Sequence, residues 1–168
     1  GAVIGHELSH QFDDQGAKYD GDGNLVDWWT DDDRTEFGAR TKALIEQYEA
    51  YVPRQLQGHH DSHVNGAFTV GENIGDLGGL TIGHKAYLIS TGGEASVEDR
   101  QKLFLNWAYC WRTKRRLEQA QQYLTIDPHS PPEFRANIVR NLDEFHEVFE
   151  TTESDGLWLD PEERVRIW

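Results

Sequence analysis

The sequence predicts a mainly α protein. Helix-capping residues recur ahead of stretches whose apolar residues repeat at helical spacing, and few segments alternate as strands do. A hydrophobic content of 37% and six tryptophans over 168 residues are sufficient for one sizeable core. No internal repeat, low-complexity tract or interdomain linker divides the chain, so we expect residues 1–168 to form one globular unit.

The first two helices are predicted by a metal-binding motif and by a capping pattern. The segment His6-Glu7-Leu8-Ser9-His10 occupies the first helix, and a turn-rich loop follows at residues 20–24. Thr30 and Asp33 then open a second helix that ends near Pro53. The apolar face of this helix consists of Phe37, Leu44, Ile45, Tyr48 and Val52.

Three further helices are expected in the remainder of the chain. The third spans roughly residues 68–89 and stops at Gly92-Gly93. Ser96 caps a fourth that runs to about Leu124, and the basic run at 112–116 would form a solvated face of it. The last long helix has an apolar stripe at Phe134, Ile138, Leu142, Phe145 and Phe149.

The His-Glu-x-x-His motif of the first helix predicts a zinc hydrolase. Residues four positions apart lie one turn apart on the same helix face, so His6 and His10 can bind one metal ion while Glu7 lies beside it. Neutral imidazoles suit zinc, and a catalytic zinc ion lowers the pKa of its water while a neighbouring carboxylate acts as general base. The same motif also occurs by chance on surface helices.

A pair of acidic residues later in the chain, Glu72 and Asp76, offers the third ligand. These residues are also four positions apart, so a helix would place both carboxylates on one side. We expect Glu72 to bind zinc and Asp76 to accept a hydrogen bond from the second ring nitrogen of a ligating histidine. Asp13 or Asp14, just after the first helix, could have the same task. The alternative for Glu72 and Asp76 is a solvated acidic face.

The residues that follow His129 indicate a helix start. Ser130, Pro131, Pro132 and Glu133 are typical of an N-cap, a first-turn proline and a capping-box glutamate. Backbone N–H groups at such a position favour developing negative charge, as on an oxyanion. Taken alone, His129 would still be an ordinary surface histidine, and the arginine at 135 an ordinary helix residue.

Together these segments resemble the neprilysin family of zinc metallopeptidases. The stretches that carry the resemblance are VIGHELSHQFDD (3–14), DGNLVDWW (22–29), GENIGD (71–76), DPHSPPEFR (127–135) and RVRIW (164–168). They extend over the whole chain, and residues 14–22 and the closing RVRIW are similar to the actinobacterial and mycobacterial branch. The resemblance implies the C-terminal part of a thermolysin-like zincin catalytic domain, beginning inside the His-Glu-x-x-His helix.

The resemblance also implies an activity and a metal. Members of this family are zinc endopeptidases that cut peptides on the amino side of hydrophobic residues. By position, His6, His10 and Glu72 match the ligands of one zinc ion, Glu7 matches the catalytic base, and Asp76 matches the acidic residue that accompanies it.

Substrate contacts are implied in the same way. His129 matches the residue that stabilises the tetrahedral intermediate, and Arg135 matches the one that holds the substrate backbone. Val3, Cys110 and Trp111 would border the pocket for the residue after the scissile bond. Several hundred residues precede this segment in family members, including a helical cap that restricts substrate size, so we expect this chain to work with a missing N-terminal part.

Composition excludes some functions. A net charge of −14 argues against a nucleic-acid partner, because such binding depends on Lys and Arg. No segment of the sequence is apolar enough to predict a membrane span. The single cysteine, Cys110, excludes an internal disulfide, and its apolar neighbours predict a buried thiol. Animal members carry several cysteines, so the sequence favours a bacterial protein.

Two other patterns have simpler interpretations than metal binding. His59, His60 and His63 lie in a polar loop without a partner at ligand spacing, and we expect His63 to make a structural hydrogen bond. The loop at 20–24 resembles a calcium-binding loop but has Leu25 and Asp31 where glycine and glutamate are required, so a turn is the better interpretation.

Three functions remain open. The chain could belong to a zinc peptidase, to a catalytically silent scaffold that binds peptides or partners, or to a zinc hydrolase of non-peptide substrates. The complete set of functional residues argues against the scaffold. Only the family resemblance selects peptides as substrates.

Overall fold

The fold is mainly α, as predicted, and contains no β-strand. A computed structural model describes residues 1–168, and no helix in it has the length and hydropathy required to cross a bilayer. One isolated antiparallel bridge, Tyr19 to Leu25, is the only strand-like contact. The helices are α1 (Ala2–Ser9), α2 (Asp31–Glu49), α3 (Gly66–Ser90), α4 (Val97–Cys110), α5 (Leu117–Ile126), α6 (Pro132–Asn137) and α7 (Asp143–Phe149). Short 3-10 turns cover His10–Phe12, Gly16–Lys18, Arg54–Leu56, Ile138–Asn141 and Pro161–Glu163.

Side-chain caps fix the starts of the three longest helices. The hydroxyl of Thr30 accepts from the backbone N–H of Asp33, whose carboxylate accepts from the backbone N–H of Thr30, so the expected capping box opens α2. Ser96 caps α4 as predicted. Asn65 caps α3 and moves its start two residues ahead of the predicted position.

Glycines at the contact allow α1 to lie close against α3, the central buried helix. A Cβ atom on Gly5 would lie 2.9 Å from the Cα of Gly79, and one on Gly79 would lie 2.4 Å from the carbonyl oxygen of Ala2. This close approach turns His6 toward the side of α3 that carries Glu72. Around α3 the core contains Leu44, Tyr48, Val70, Ile74, Leu77, Leu80, Phe104, Trp107, Phe134, Ile138 and Phe145.

The prediction of one continuous fourth helix is wrong, because this part of the chain forms two helices with a non-helical segment between them. Helix α4 ends at Cys110, and α5 starts at Leu117. The Gln55 side chain donates to the backbone carbonyl of Arg115 (3.0 Å), and Arg116 has extended backbone angles. The basic run at 112–116 is therefore not a helix face.

The predicted last helix is also interrupted. A 3-10 turn ends at Asn141, and Leu142 has extended backbone angles before α7 begins at Asp143. The Asn141 amide oxygen accepts from the backbone N–H of Val165 (2.9 Å) and from the side chain of Gln47 (2.9 Å). These long-range bonds fix Asn141 in an orientation that a continuous helix would not allow.

The start of α6 differs from the predicted capping box. Pro131 occupies the cap position, and Ser130 is buried with its hydroxyl donating to the amide oxygen of Asn73 (2.7 Å). Glu133 accepts from the backbone N–H of Arg54 (3.0 Å) instead of closing a capping box. The serine thus ties the segment that carries His129 to the middle of α3.

Candidate metal centre

Three side chains from α1, the following turn and α3 converge at one point. The ligand atoms of His6, His10 and Glu72 all lie within 4.8 Å of one another. The Nε2 atom of His6 is 3.1 Å from Oε2 of Glu72, and Nε2 of His10 is 3.7 Å from the same oxygen. Two imidazoles and one carboxylate are a donor set that suits a zinc ion with an open fourth position.

Each histidine is oriented by a carboxylate on its other ring nitrogen. Nδ1 of His6 donates to Asp76 (2.9 Å), and Nδ1 of His10 donates to Asp13 (2.8 Å). Both Nε2 atoms are thereby directed to the point of convergence. Asp14 contacts neither histidine; its carboxylate accepts from the neighbouring glutamine side chain. Of the two aspartates that the sequence proposed after α1, the geometry thus selects Asp13.

The charges at this point suit a cation. Burial opposes the charged form of His6, but its hydrogen bonds to Asp76 and Glu72 raise its pKa to about 9. Burial also raises the pKa of Glu72, yet the hydrogen bond from His6 and the charges of His129, His10 and His6 lower it overall. A metal ion would replace the proton that His6 otherwise retains.

His129 approaches the same carboxylate oxygen of Glu72. Its Nε2 lies 3.2 Å from Oε2 of Glu72, and its Nδ1 donates to Asp127 (2.8 Å). Asp127 also accepts from the backbone N–H of His129 (3.0 Å). Burial raises the pKa of Asp127, but these hydrogen bonds and the nearby charges of His129 and Arg115 lower it overall. Asp127 lies within the sequence motif, which did not indicate this contact with His129.

Arg135 lies behind the metal centre. Its Nε and Nη2 donate to the two oxygens of Asp76, each at 2.7 Å, and its guanidinium lies 3.9 Å from the centre of the Trp111 ring. The Trp107 indole donates to its backbone carbonyl (3.0 Å). The pairing between Arg135 and Asp76 has no signature in the sequence.

The remaining candidate residues are exposed or half-buried. Glu7 is exposed on α1, next to His6. Val3 is also exposed on α1, at 63%, and Trp111 is half-buried. Cys110 is exposed, so the prediction of a buried thiol is wrong. Phe104 and Trp107 of α4 are buried, whereas Cys110, three residues after Trp107, is the last residue of the helix and is exposed.

The two simpler interpretations agree with the geometry. The His63 ring donates to the backbone carbonyl of Glu49 (3.1 Å), which is the expected structural hydrogen bond. The carboxylate of Asp20 accepts from the backbone N–H groups of Asp22 (3.0 Å) and Asn24 (2.9 Å) and closes a turn.

Several known proteins are similar to this chain in sequence and in fold. Peptidase family M13 matches residues 1–165. A neutral endopeptidase of Lactobacillus helveticus is 40% identical over all of this chain and 24% of its own length, and human endothelin-converting enzyme 1 is 37% identical over all of this chain and 22% of its own length. The zinc metalloprotease of Mycobacterium tuberculosis, solved with an inhibitor, superimposes with a TM-score of 0.95 at 64% identity, covering 99% of this chain and 26% of that one.

This chain therefore spans about a quarter of the length of the relatives it matches. The family match covers almost every residue, including those that converge around Glu72. The chain belongs to peptidase family M13, the neprilysin family of metallopeptidases.

Proposed function

We propose that this chain provides the metal centre of a zinc-dependent endopeptidase. The observation that carries the proposal is the convergence of His6, His10 and Glu72, with Nε2 of His129 only 3.2 Å from the same carboxylate. A hydrolase needs both a metal and a donor for the developing negative charge, and these residues offer the two side by side. The relatives named neutral endopeptidase and zinc metalloprotease support peptides as the substrate.

In this proposal His6, His10 and Glu72 would hold one zinc ion, with Asp76 and Asp13 fixing the histidine rings. When bound, zinc polarises the peptide carbonyl and makes a water acidic enough to attack near neutral pH. Glu7 would act as the general base that takes a proton from the attacking water and passes it to the leaving amine. Its exposure next to His6 leaves it free to do so.

His129 stabilises the oxyanion in the proposed reaction. Its Nδ1–H donates to Asp127 (2.8 Å) and fixes the ring, and an N–H at Nε2 would donate to the oxyanion that forms on the carbonyl.

Substrate binding is assigned to the surface around α1 and the end of α4. Nε and Nη2 of Arg135 donate to Asp76. Nη1 makes no hydrogen bond within the chain, and we assign it to the substrate backbone. Val3, Cys110 and Trp111 would border a pocket for a hydrophobic residue after the scissile bond. Val3 and Cys110 are exposed, and the ring of Trp111 packs on Arg135.

We further propose that this chain acts as the C-terminal part of a longer protease. The relatives it matches are about four times as long, so other parts of those proteins are available to complete the substrate cleft. Residues 1–168 on their own are expected to cleave peptides weakly or not at all.

The test uses the full-length protease that contains this chain. Elemental analysis should find one zinc per chain in the unmodified protein and in Glu7→Gln, and none at this site in Glu72→Ala. Removing the general base should reduce kcat by about 10²- to 10⁴-fold. A Glu7→Gln protein with full activity would refute the mechanism, and zinc binding without cleavage of any peptide would point to a scaffold or to a non-peptide substrate.

A further inference from the structure

A cavity beside His129 is lined in part by residues that the proposed mechanism does not use. Its volume is about 540 Å³, and His129 and Trp111 form part of its wall. The non-helical segment between α4 and α5 contributes three cations to the lining, namely Arg112, Lys114 and Arg115. The interruption of the predicted fourth helix therefore places a basic surface next to the metal centre.

These three cations lack ion-pair partners in an otherwise acidic chain. The sequence has 30 Asp and Glu residues against 16 Lys and Arg, and most cations outside this segment lie within 4.0 Å of a carboxylate. Arg112, Lys114 and Arg115 form no such pair. Their charge is thus available to a group that enters the cavity.

The two carboxylates in the cavity wall are already engaged. Asp127 accepts from the ring and from the backbone N–H of His129. Glu133 accepts from the backbone N–H of Arg54, and the Arg54 side chain lies 3.7 Å from it. Neither carboxylate lies within 4.0 Å of the three cations, although the charge of Arg115 contributes to the lowered pKa of Asp127. Three cations face two carboxylates that already have other partners, so the cavity retains a net attraction for anions.

Aromatic rings hold the two arginines. The guanidinium of Arg115 lies 4.5 Å from the centre of the Tyr123 ring, and that of Arg112 lies 3.6 Å from the centre of the Tyr109 ring. Stacking orients a guanidinium while leaving its N–H groups free to bind a carboxylate with two hydrogen bonds. The hydrogen bond from Gln55 to the backbone of Arg115 fixes the segment further.

We infer that this cavity binds a carboxylate of the peptide substrate near the scissile bond. The inference rests on the proposed peptidase function and specifies its substrates. His129 lines the cavity and also approaches Glu72, so the bound carboxylate belongs to a residue close to the cleaved bond. The source is either an Asp or Glu side chain or the free C-terminus of a short peptide, since both present the same group to Arg112, Lys114 and Arg115.

The test compares matched peptides on the full-length protease. One series replaces Gln by Glu at each position within three residues of the scissile bond, and a second series compares a free C-terminus with its amide. At one position kcat/KM should favour the acidic peptide by about five- to tenfold at low salt, and the preference should decline as NaCl is raised. The series that shows the preference identifies the source of the carboxylate.

The variants assign that preference to the cavity. A triple variant with Arg112→Gln, Lys114→Gln and Arg115→Gln should bring the acidic-to-neutral ratio of kcat/KM close to one, and Arg115→Gln alone should lower it in part. Lys85→Gln is the matched control, because Lys85 is an exposed cation on α3 without an ion pair, and this variant should keep the ratio.

Three outcomes would overturn the inference. Equal cleavage of acidic and neutral peptides by the unmodified protease, or an acidic preference that survives in the triple variant, would refute the carboxylate subsite while leaving peptide cleavage established. Failure to cleave any peptide in either series would refute the proposed function itself, and the subsite with it.

Discussion

Arg135 donates two hydrogen bonds of 2.7 Å to Asp76, whose side chain is completely buried. The same carboxylate accepts from Nδ1 of His6 (2.9 Å). A buried carboxylate is costly unless charged and hydrogen-bonded partners surround it. Arg135 therefore stabilises the acid that orients a proposed zinc ligand, in addition to the substrate role proposed for it.

Arg135→Met should weaken zinc binding as well as catalysis. The substitution leaves Asp76 buried with His6 as its only charged partner, which should destabilise the fold by about 3–5 kcal/mol. Loss of a partner behind a metal ligand typically lowers metal affinity about 10- to 100-fold. Chelator competition and thermal unfolding of the full-length protein would measure both effects.

Arg54→Met is the matched control, because its side chain is 86% exposed and its ion pair with Glu133 is long, at 3.7 Å. It should change neither zinc affinity nor stability appreciably. Unaltered zinc affinity in Arg135→Met would show that this arginine acts on substrate alone.

Asp127→Asn should impair catalysis without loss of zinc. The amide cannot provide the carboxylate that orients the His129 ring, and kcat/KM should decrease by about 10- to 100-fold. Because Asp127 acts through His129, the substitution should have little further effect in a His129→Ala background. Additive losses in the double variant, or loss of zinc in Asp127→Asn, would indicate a separate structural role.

Asp13 and Asp14 offer a direct comparison of two adjacent carboxylates. Asp13→Ala removes the partner of His10 and also leaves the backbone N–H groups of Gln15 and Gly16 without their acceptor. Zinc affinity should decrease about 10- to 100-fold in this variant and remain near the unmodified value in Asp14→Ala. Equal effects at the two positions would contradict the assignment of Asp13 to His10.

Helical spacing made much of the metal centre predictable. An interval of four residues places two side chains on one helix face whatever the rest of the fold, so the sequence indicated both His6 with His10 and Glu72 with Asp76. The pairing of Asp76 with Arg135 spans 59 residues and has no periodic signature. The sequence also left Asp13 and Asp14 equivalent, since only the backbone path after α1 decides which one meets His10.

The two helix breaks could not be predicted from the sequence, for a related reason. Neither break contains proline or glycine, and the apolar stripe Phe134, Ile138, Leu142 and Phe145 continues through the second. They coincide with hydrogen bonds from distant residues, Gln55 to the carbonyl of Arg115 and Val165 to the side chain of Asn141. Tertiary contacts here override local helix propensity. The basic cavity beside His129 depends on the first of these breaks and was therefore not foreseen.

Acid should weaken the packing of α7 through His146. This histidine is buried, and burial is the largest cause of its lowered pKa in the folded chain. In the unfolded chain the pKa of His146 returns to its ordinary value of 6.5. As pH decreases, the unfolded state therefore binds this proton before the folded state does. Its contribution to stability is therefore complete above pH 6.5 and declines as pH falls below that value.

Hydrogen exchange at the amides of α7 in the full-length protein, corrected for intrinsic rates, would report this loss. His146→Gln should reduce the dependence of opening on pH between neutrality and pH 5. Protection that stays constant over this range in the unmodified protein would contradict the buried neutral state of His146.

Gly75→Ala should displace the His6 ring and lower zinc affinity. A Cβ atom at this position would lie 2.8 Å from both Cε1 and Nδ1 of His6, so the ring or helix α1 must shift, at a cost of about 1–3 kcal/mol. Gly38→Ala makes the same substitution at an exposed site of α2 where the new atom meets nothing within 4 Å, and it should stabilise the helix by about 1 kcal/mol. Chelator competition and thermal unfolding of both variants in the full-length protein would separate the steric effect at His6 from the general effect of alanine in a helix. If Gly75→Ala bound zinc as tightly as Gly38→Ala, α1 would have to lie farther from α3 than the structure places it.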